Sequence, residues 1–177
     1  YSKECKYYNL FVVALETGMR IGELKALNWN DIDFSKRALW VKKTMCLVRD
    51  DQGSYFEIHT PKTFYGNRII PLTSKCVEAL MRQKKLNILI VKRHKNVKFK
   101  NLVFPSRSNN PLYGTVIIKA IHITLTKMNE DGINIEKFSP HTFRHTFATR
   151  AIENGMNPKV LQQIMGHGTL QMTMDLY

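Results

Sequence analysis

The chain reads as a mostly helical α+β domain, and three observations carry that reading. Apolar residues recur at helical spacing over several long stretches. Two pairs, Ser139-Pro140 and Asn157-Pro158, mark helix starts. In each the polar side chain caps, and proline fits the first turn, where its missing N–H is not needed. Between helical stretches, β-branched and aromatic runs flank a polar, glycine-containing turn, as antiparallel strands do.

Taken in order, Tyr7 to Ala26 is predicted helical, interrupted at Thr17-Gly18-Met19. There glycine can end one helix before Arg20 opens the next. Trp29 to Asp33 is a polar turn. Ala38 to Val48 and Tyr55 to His59 are β-rich, joined by the loop Arg49-Asp50-Asp51-Gln52-Gly53-Ser54. Asn67 to Leu72 follows as a third strand, after Lys62-Thr63-Phe64-Tyr65-Gly66. These runs predict a small three-stranded antiparallel sheet. Thr73 or Ser74 caps a helix to about His94, with Val77, Leu80, Met81, Leu86, Leu89 and Ile90 as its apolar positions. A lysine-rich link and Leu102-Val103-Phe104-Pro105 lead to a helix from Gly114 to Met128. The Ser139-Pro140 helix should stop at Asn154-Gly155, and the short Asn157-Pro158 helix at Gly166. Thr169 caps a last helix reaching Tyr177. About seven helices and three strands in one domain are expected at this length.

Composition narrows the function. The 177 residues carry 27 Lys and Arg against 14 Asp and Glu, a formal charge of +13. With 44% apolar residues the chain can bury a core, which excludes a disordered basic tail. No apolar run approaches the ~20 residues of a membrane span. Three widely spaced cysteines (Cys5, Cys46, Cys76) without CxxC point to a reducing compartment rather than a disulfide scaffold or zinc knuckle. No leader pattern is present and the first residue is not Met, so the chain reads as a piece of a longer or processed protein.

The charge is concentrated. From Ala79 to Asn129 there is no acidic residue, against eleven basic ones, among them Lys84, Lys85, Lys92, Arg93, Lys95, Lys98 and Lys100. Such a run is either a solvated surface or a grip on a polyanion. By itself it does not choose between DNA, RNA and an acidic membrane.

Four local patterns carry chemistry. In His141-Thr142-Phe143-Arg144-His145, residues three and four apart share a helix face near an N-terminus, which favours an anion. A zincin helix would need Glu where Thr142 stands, which argues against zinc. In Thr17-Gly18-Met19-Arg20-Ile21-Gly22-Glu23-Leu24, Arg20 heads a helix with Glu23 one turn on to orient it. Thr60-Pro61-Lys62-Thr63 sets a lysine just past a strand. Ile164-Met165-Gly166-His167 is followed ten residues later by Tyr177. Each alone has an ordinary structural explanation: a capping turn, a solvated lysine, a helix stop.

In this order and company, the pieces resemble the catalytic domain of tyrosine recombinases, the phage-type integrases, over nearly the whole chain. TGMRIGEL is similar to their first arginine box and TPKT to their hairpin lysine. SPHTFRHTFAT is similar to their second box, and MGHGTLQMTMDLY to their final histidine and nucleophilic tyrosine. The likeness is greatest to integrases of conjugative transposons and temperate phages. It implies site-specific breaking and rejoining of double-stranded DNA through a 3′-phosphotyrosyl intermediate. Arg20, Lys62, His141, Arg144, His167 and Tyr177 are then catalytic, with Glu23 and His145 in support. It implies that residues 1–177 are the catalytic domain of a longer cytoplasmic, nucleoid-associated protein. That protein would work as a tetramer on DNA, with accessory DNA-bending proteins and no membrane. A type IB topoisomerase and a non-catalytic DNA-binding regulator of the same fold remain as alternatives.

The chemistry accounts for these residue types independently. A phenol with pKa near 10 needs its proton removed before it attacks, and histidine titrates in the right range to take it. Two guanidiniums match the non-bridging oxygens of the five-coordinate transition state. A hairpin lysine suits protonation of the leaving 5′ oxygen. The sequence has neither a carboxylate cluster for Mg²⁺ nor a glycine-rich nucleotide loop, and attack by the protein itself requires no metal or cofactor.

Overall fold

A computed structural model describes residues 5–51, 53–60, 66–94 and 98–175. Helix α1 (Tyr8–Thr17) buries Leu10, Phe11, Val13 and Ala14. It ends where Gly18, at φ 61°, donates its N–H to the Ala14 carbonyl at 3.0 Å. A Cβ at Gly18 would run into the Phe147 ring, so both the left-handed backbone and the close approach require glycine. Helix α2 (Ile21–Ala26) follows at once.

The expected polar turn is a 3₁₀ turn at Trp29–Asp31 running into a short strand, β1 (Ile32–Asp33). Strands β2 (Ala38–Val41), β3 (Thr44–Asp50), β4 (Gly53–His59) and β5 (Arg68–Pro71) come next. The expected run from Ala38 to Val48 is therefore two strands. The three-stranded antiparallel sheet is present, but its order is β1-β2-β5, while β3 and β4 form a separate hairpin. The chain changes partner at the exposed pair Lys42-Lys43: Val41 faces Arg68, and Thr44 faces His59. Strand propensity reports an extended backbone and not which ladder it joins. Gly22 lets α2 lie against Thr44 at the root of the hairpin.

Helices α3 (Ser74–Arg93), α4 (Gly114–Glu130), α5 (Pro140–Glu153), α6 (Pro158–Met165) and α7 (Gln171–Met174) complete the fold. Thr73, Ser139 and Asn157 accept backbone N–H groups as caps, as their sequence contexts predict. One core joins α1, the inner sheet face at Leu39, Val41 and Ile70, and α3, α4 and α5. The buried stripe of α3 departs from expectation. Met81, Leu86 and Leu89 are exposed, while Gln83 and Asn87 are buried. Asn9 donates to Gln83, Gln83 to Asn87, and Asn87 to the carbonyls of Leu102 and Val103, so each buried amide has partners. Among the described residues, no helix is long and apolar enough to cross a membrane.

Candidate active site

Three chain breaks converge on one point: the α1–α2 turn, the start of β5, and the α6–α7 turn. Arg20 caps α2 in extended conformation, and its backbone N–H donates to Glu23 Oε2 at 2.8 Å. Its guanidinium reaches Glu23 Oε1 at 3.2 Å yet stays 42% exposed, so the far side of the fork is open. Glu23 is buried and also receives a two-pronged bond from Arg68, at 2.9 Å from Nη1 and 2.8 Å from Nη2. Burial acts to raise the Glu23 pKa. The Arg68 hydrogen bonds and charge, helped by Arg20, outweigh it and hold the carboxyl below its ordinary range.

Arg68 is a site residue that the sequence reading missed. It opens β5, its side chain is almost fully buried, and its Nε donates to the Ile164 carbonyl at 2.6 Å. It thus ties α2, the sheet and α6 together behind Arg20. An arginine at a β-strand start carries no local pattern of its own; only its distant carboxylate partner gives it a role.

Arg144 projects from α5 into the same junction and is 2% exposed. Nη1 donates to the Gly18 carbonyl at 2.7 Å, and Nη2 to the Met165 carbonyl at 2.5 Å. Nη2 also lies 2.8 Å from His167 Nε2. No carboxylate contacts it among the described residues. Burial first, then Arg20, pull its pKa down to about 9, opposed by Glu23, and the group is still charged at neutrality. Arg20 and Arg68 therefore share one carboxylate while Arg144 contacts none among the described residues, and its charge is held where water is scarce.

His167 reaches this point through a helix stop. Gly166 adopts φ 64°, and the next N–H, that of His167, turns back to the Gln162 carbonyl at 3.1 Å. Because a guanidinium N–H only donates, His167 Nε2 accepts from Arg144. The ring proton is then assigned to Nδ1, which donates to Thr173 Oγ1 at 2.9 Å. Both ring nitrogens are engaged. Donation from His167 to a phosphate would need a proton on Nε2, which here accepts.

His141 lies exposed at the start of α5, and the half-buried His145 ring stands edge-on to it with centroids 4.7 Å apart. Desolvation, then His145, Arg144 and Arg20, lower the His141 pKa and so favour its neutral form. Lys62, Tyr177 and Lys95 lie outside the described residues. Lys84, Lys85, Lys92, Arg93, Lys98 and Lys100 are all exposed, on α3 and the segment after it. Lys84 stands over the Trp29 and Phe34 rings at 5.9 and 5.7 Å, and Lys98 over Phe99 at 5.6 Å.

The arrangement has a pH signature. Burial first, then Arg144, Arg20, Arg68 and His141, pull the His167 pKa down from 6.5 to about 4. Between those values the unfolded chain binds a proton that the folded one refuses, so stability falls as the pH falls through that window. Protonation would set an imidazolium 2.8 Å from a guanidinium. The melting temperature of the protein is expected to drop more steeply from pH 6.5 to 4 than that of His167→Gln, measured by thermal unfolding. Parallel curves would refute this. Glu23 adds its own loss as the pH falls from its ordinary value of 4.5 toward its lowered pKa, because there the unfolded chain binds the proton that the folded one refuses.

Known proteins share this sequence and fold. Residues 1–177 match the phage integrase family throughout. The chain is 33% identical over 181 residues to the transposase from transposon Tn916 of Enterococcus faecalis, covering 97% of this chain and 42% of that protein. It is 32% identical over 177 residues to a tyrosine recombinase XerC-like protein of Caldanaerobacter subterraneus, covering 95% and 44%. Its fold superposes on the Tn1549 transposon integrase, solved in complex with circular intermediate DNA, with a TM-score of 0.82 and 34% identity. That match covers 97% of this chain and 55% of that one. The chain spans less than half the length of these curated relatives. A family match running from the first residue to the last, with relatives one-third identical along nearly the whole of it, places the chain in the phage integrase family.

Proposed function

We propose that this chain is the catalytic portion of a site-specific DNA recombinase that cuts and rejoins double-stranded DNA through a 3′-phosphotyrosyl bond. The observation that carries the reading is Arg144, a buried guanidinium with no carboxylate in contact among the described residues, beside an Arg20 fork open on one side. Burying such a charge is unfavourable unless an anion completes it, and a phosphodiester is the anion whose oxygens fit two planar forks. Tyr177 Oη attacks phosphorus while its proton passes to His141. The bond to the 5′ oxygen breaks, and Lys62 supplies that oxygen with a proton. Arg20 and Arg144 bind the non-bridging oxygens, where preorganised donors are each worth about 10²–10³ in rate. Glu23 keeps Arg20 aimed, His145 supports His141, and His167 holds Arg144. The tyrosyl ester retains the phosphodiester's energy, so the reverse attack by a 5′ hydroxyl rejoins strands.

The six exposed cations on and after α3, with Lys95, then grip the DNA backbone, as a sequence-independent surface can. Similarity to a transposon transposase and a transposon integrase supports a mobile-element recombinase over a relaxing topoisomerase. A tetramer on DNA, accessory bending proteins and a cytoplasmic, nucleoid-associated setting belong to the same proposal.

The test is a nicked duplex taken from the junctions of the encoding element. The protein should form a denaturant-stable adduct with it, and Tyr177→Phe should form none while binding the duplex equally. Salt-sensitive binding without any adduct would favour the non-catalytic regulator. Relaxation of plasmids lacking such junctions would favour the topoisomerase.

A further inference from the structure

Helix α7, which leads in sequence to Tyr177, is poorly anchored: Leu170, Met172 and Met174 are 41, 49 and 44% exposed. Thr173 is its one buried residue, at 0% exposure. A buried threonine contributes little as a hydrophobe, and its hydroxyl demands a partner. That partner is His167 Nδ1 at 2.9 Å, in a ring whose other nitrogen takes the Arg144 Nη2 proton. A single hydroxyl therefore joins the helix that precedes the nucleophile to the guanidinium that faces the phosphate.

We infer that Thr173 is a positioning residue: its Oγ1 accepts the Nδ1–H that the Arg144 bond leaves on the His167 ring, which fixes that ring against Arg144 and pins α7 to the phosphate pocket. The physical need is clear. A neutral imidazole can carry its proton on either nitrogen, and which one is set by the hydrogen bond at the other. With the proton on Nε2, ring and guanidinium would both present donors across 2.8 Å. Arg144 would lose an acceptor and the freedom of its Nη2 would increase. Arg144, which only donates, settles the proton on Nδ1, and the Thr173 oxygen accepts it, so the ring is held at both nitrogens. The same bond places α7 relative to Arg144, so the pocket and the helix that precedes the nucleophile in sequence are set together. The catalytic meaning rests on the phosphoryl-transfer reading above; the tautomer and the tether do not.

The variants are Thr173→Val, of nearly equal shape without the hydroxyl, and Thr173→Ser, which keeps it. Nitrogen-15 NMR of histidine-labelled protein should show His167 with a protonated Nδ1 and a bare Nε2. That pattern should persist in both variants, since Arg144 sets it, while the Nδ1–H proton, held in Thr173→Ser, should exchange faster with water in Thr173→Val. Hydrogen exchange should show α7 amides losing protection in Thr173→Val alone. On the nicked duplex, single-turnover adduct formation should fall about 10-fold or more in Thr173→Val, the lower end of what losing a histidine's orienting partner costs at metal sites. DNA affinity should hold, and Thr173→Ser should recover the rate. Unchanged exchange of the Nδ1–H proton and unchanged α7 protection in Thr173→Val would overturn the inference, whatever the adduct assay gives. If no form of the protein makes an adduct while both spectroscopic changes appear, the recombinase reading fails and the tether stands.

Discussion

Arg144→Lys is expected to lower strand cleavage about 10³-fold, the upper range for loss of a preorganised donor. Lysine keeps the charge, so the loss would come from geometry. Arg144 gives three of its five N–H groups to two carbonyls and one imidazole, drawn from two distant parts of the chain. An ammonium is a compact point charge on a flexible stem and cannot reproduce that planar spread. The Gly18 and Met165 carbonyls would lose their donor, with a stability loss of about 1–3 kcal/mol for each left bare. Adduct formation at saturating DNA and thermal unfolding measure the two effects separately. Near-normal cleavage by Arg144→Lys would remove the guanidinium from the mechanism.

The second large effect belongs to Glu23 and Arg68. Glu23→Ala should destabilise the fold by about 3–5 kcal/mol, as removal of one member of a buried ion pair does. Arg68 would be left charged at 4% side-chain exposure with only carbonyls to meet. The double variant Glu23→Leu/Arg68→Met should recover much of that stability, because an apolar pair of similar volume tolerates burial. It should not recover cleavage. Arg20 would still lack the carboxylate that accepts both its backbone N–H and its guanidinium. A stable double variant that cleaves normally would show that Glu23 serves the fold and not Arg20. Denaturant unfolding and the adduct assay, run on the same preparations, separate these outcomes.

The motifs that define the site were legible because their signals are local. Gly18 before Arg20 and Gly166 before His167 announce left-handed helix ends, and Ser139-Pro140 announces the helix that carries Arg144. Glu23 lies one turn from Arg20, so their pairing follows from helical geometry. Neighbours within a few residues are constrained by backbone dihedrals, and those can be read along the chain.

What the sequence by itself determined was therefore the helix order, the caps, the excess of positive charge and the presence of residue types suited to binding an anion. What only the tertiary structure decided was who meets whom across the fold. Arg68 finds Glu23 over 45 positions, Arg144 finds the Gly18 carbonyl over 126, and the run from Ala38 to Val48 divides between two ladders. The stripe of α3 buries Gln83 and Asn87 because the carbonyls of Leu102 and Val103 lie opposite and need donors. Even the His167 proton is placed by partners on different helices. The reason is physical: a hydrogen bond or ion pair between distant residues depends on packing that closes long loops, and no local preference encodes that closure.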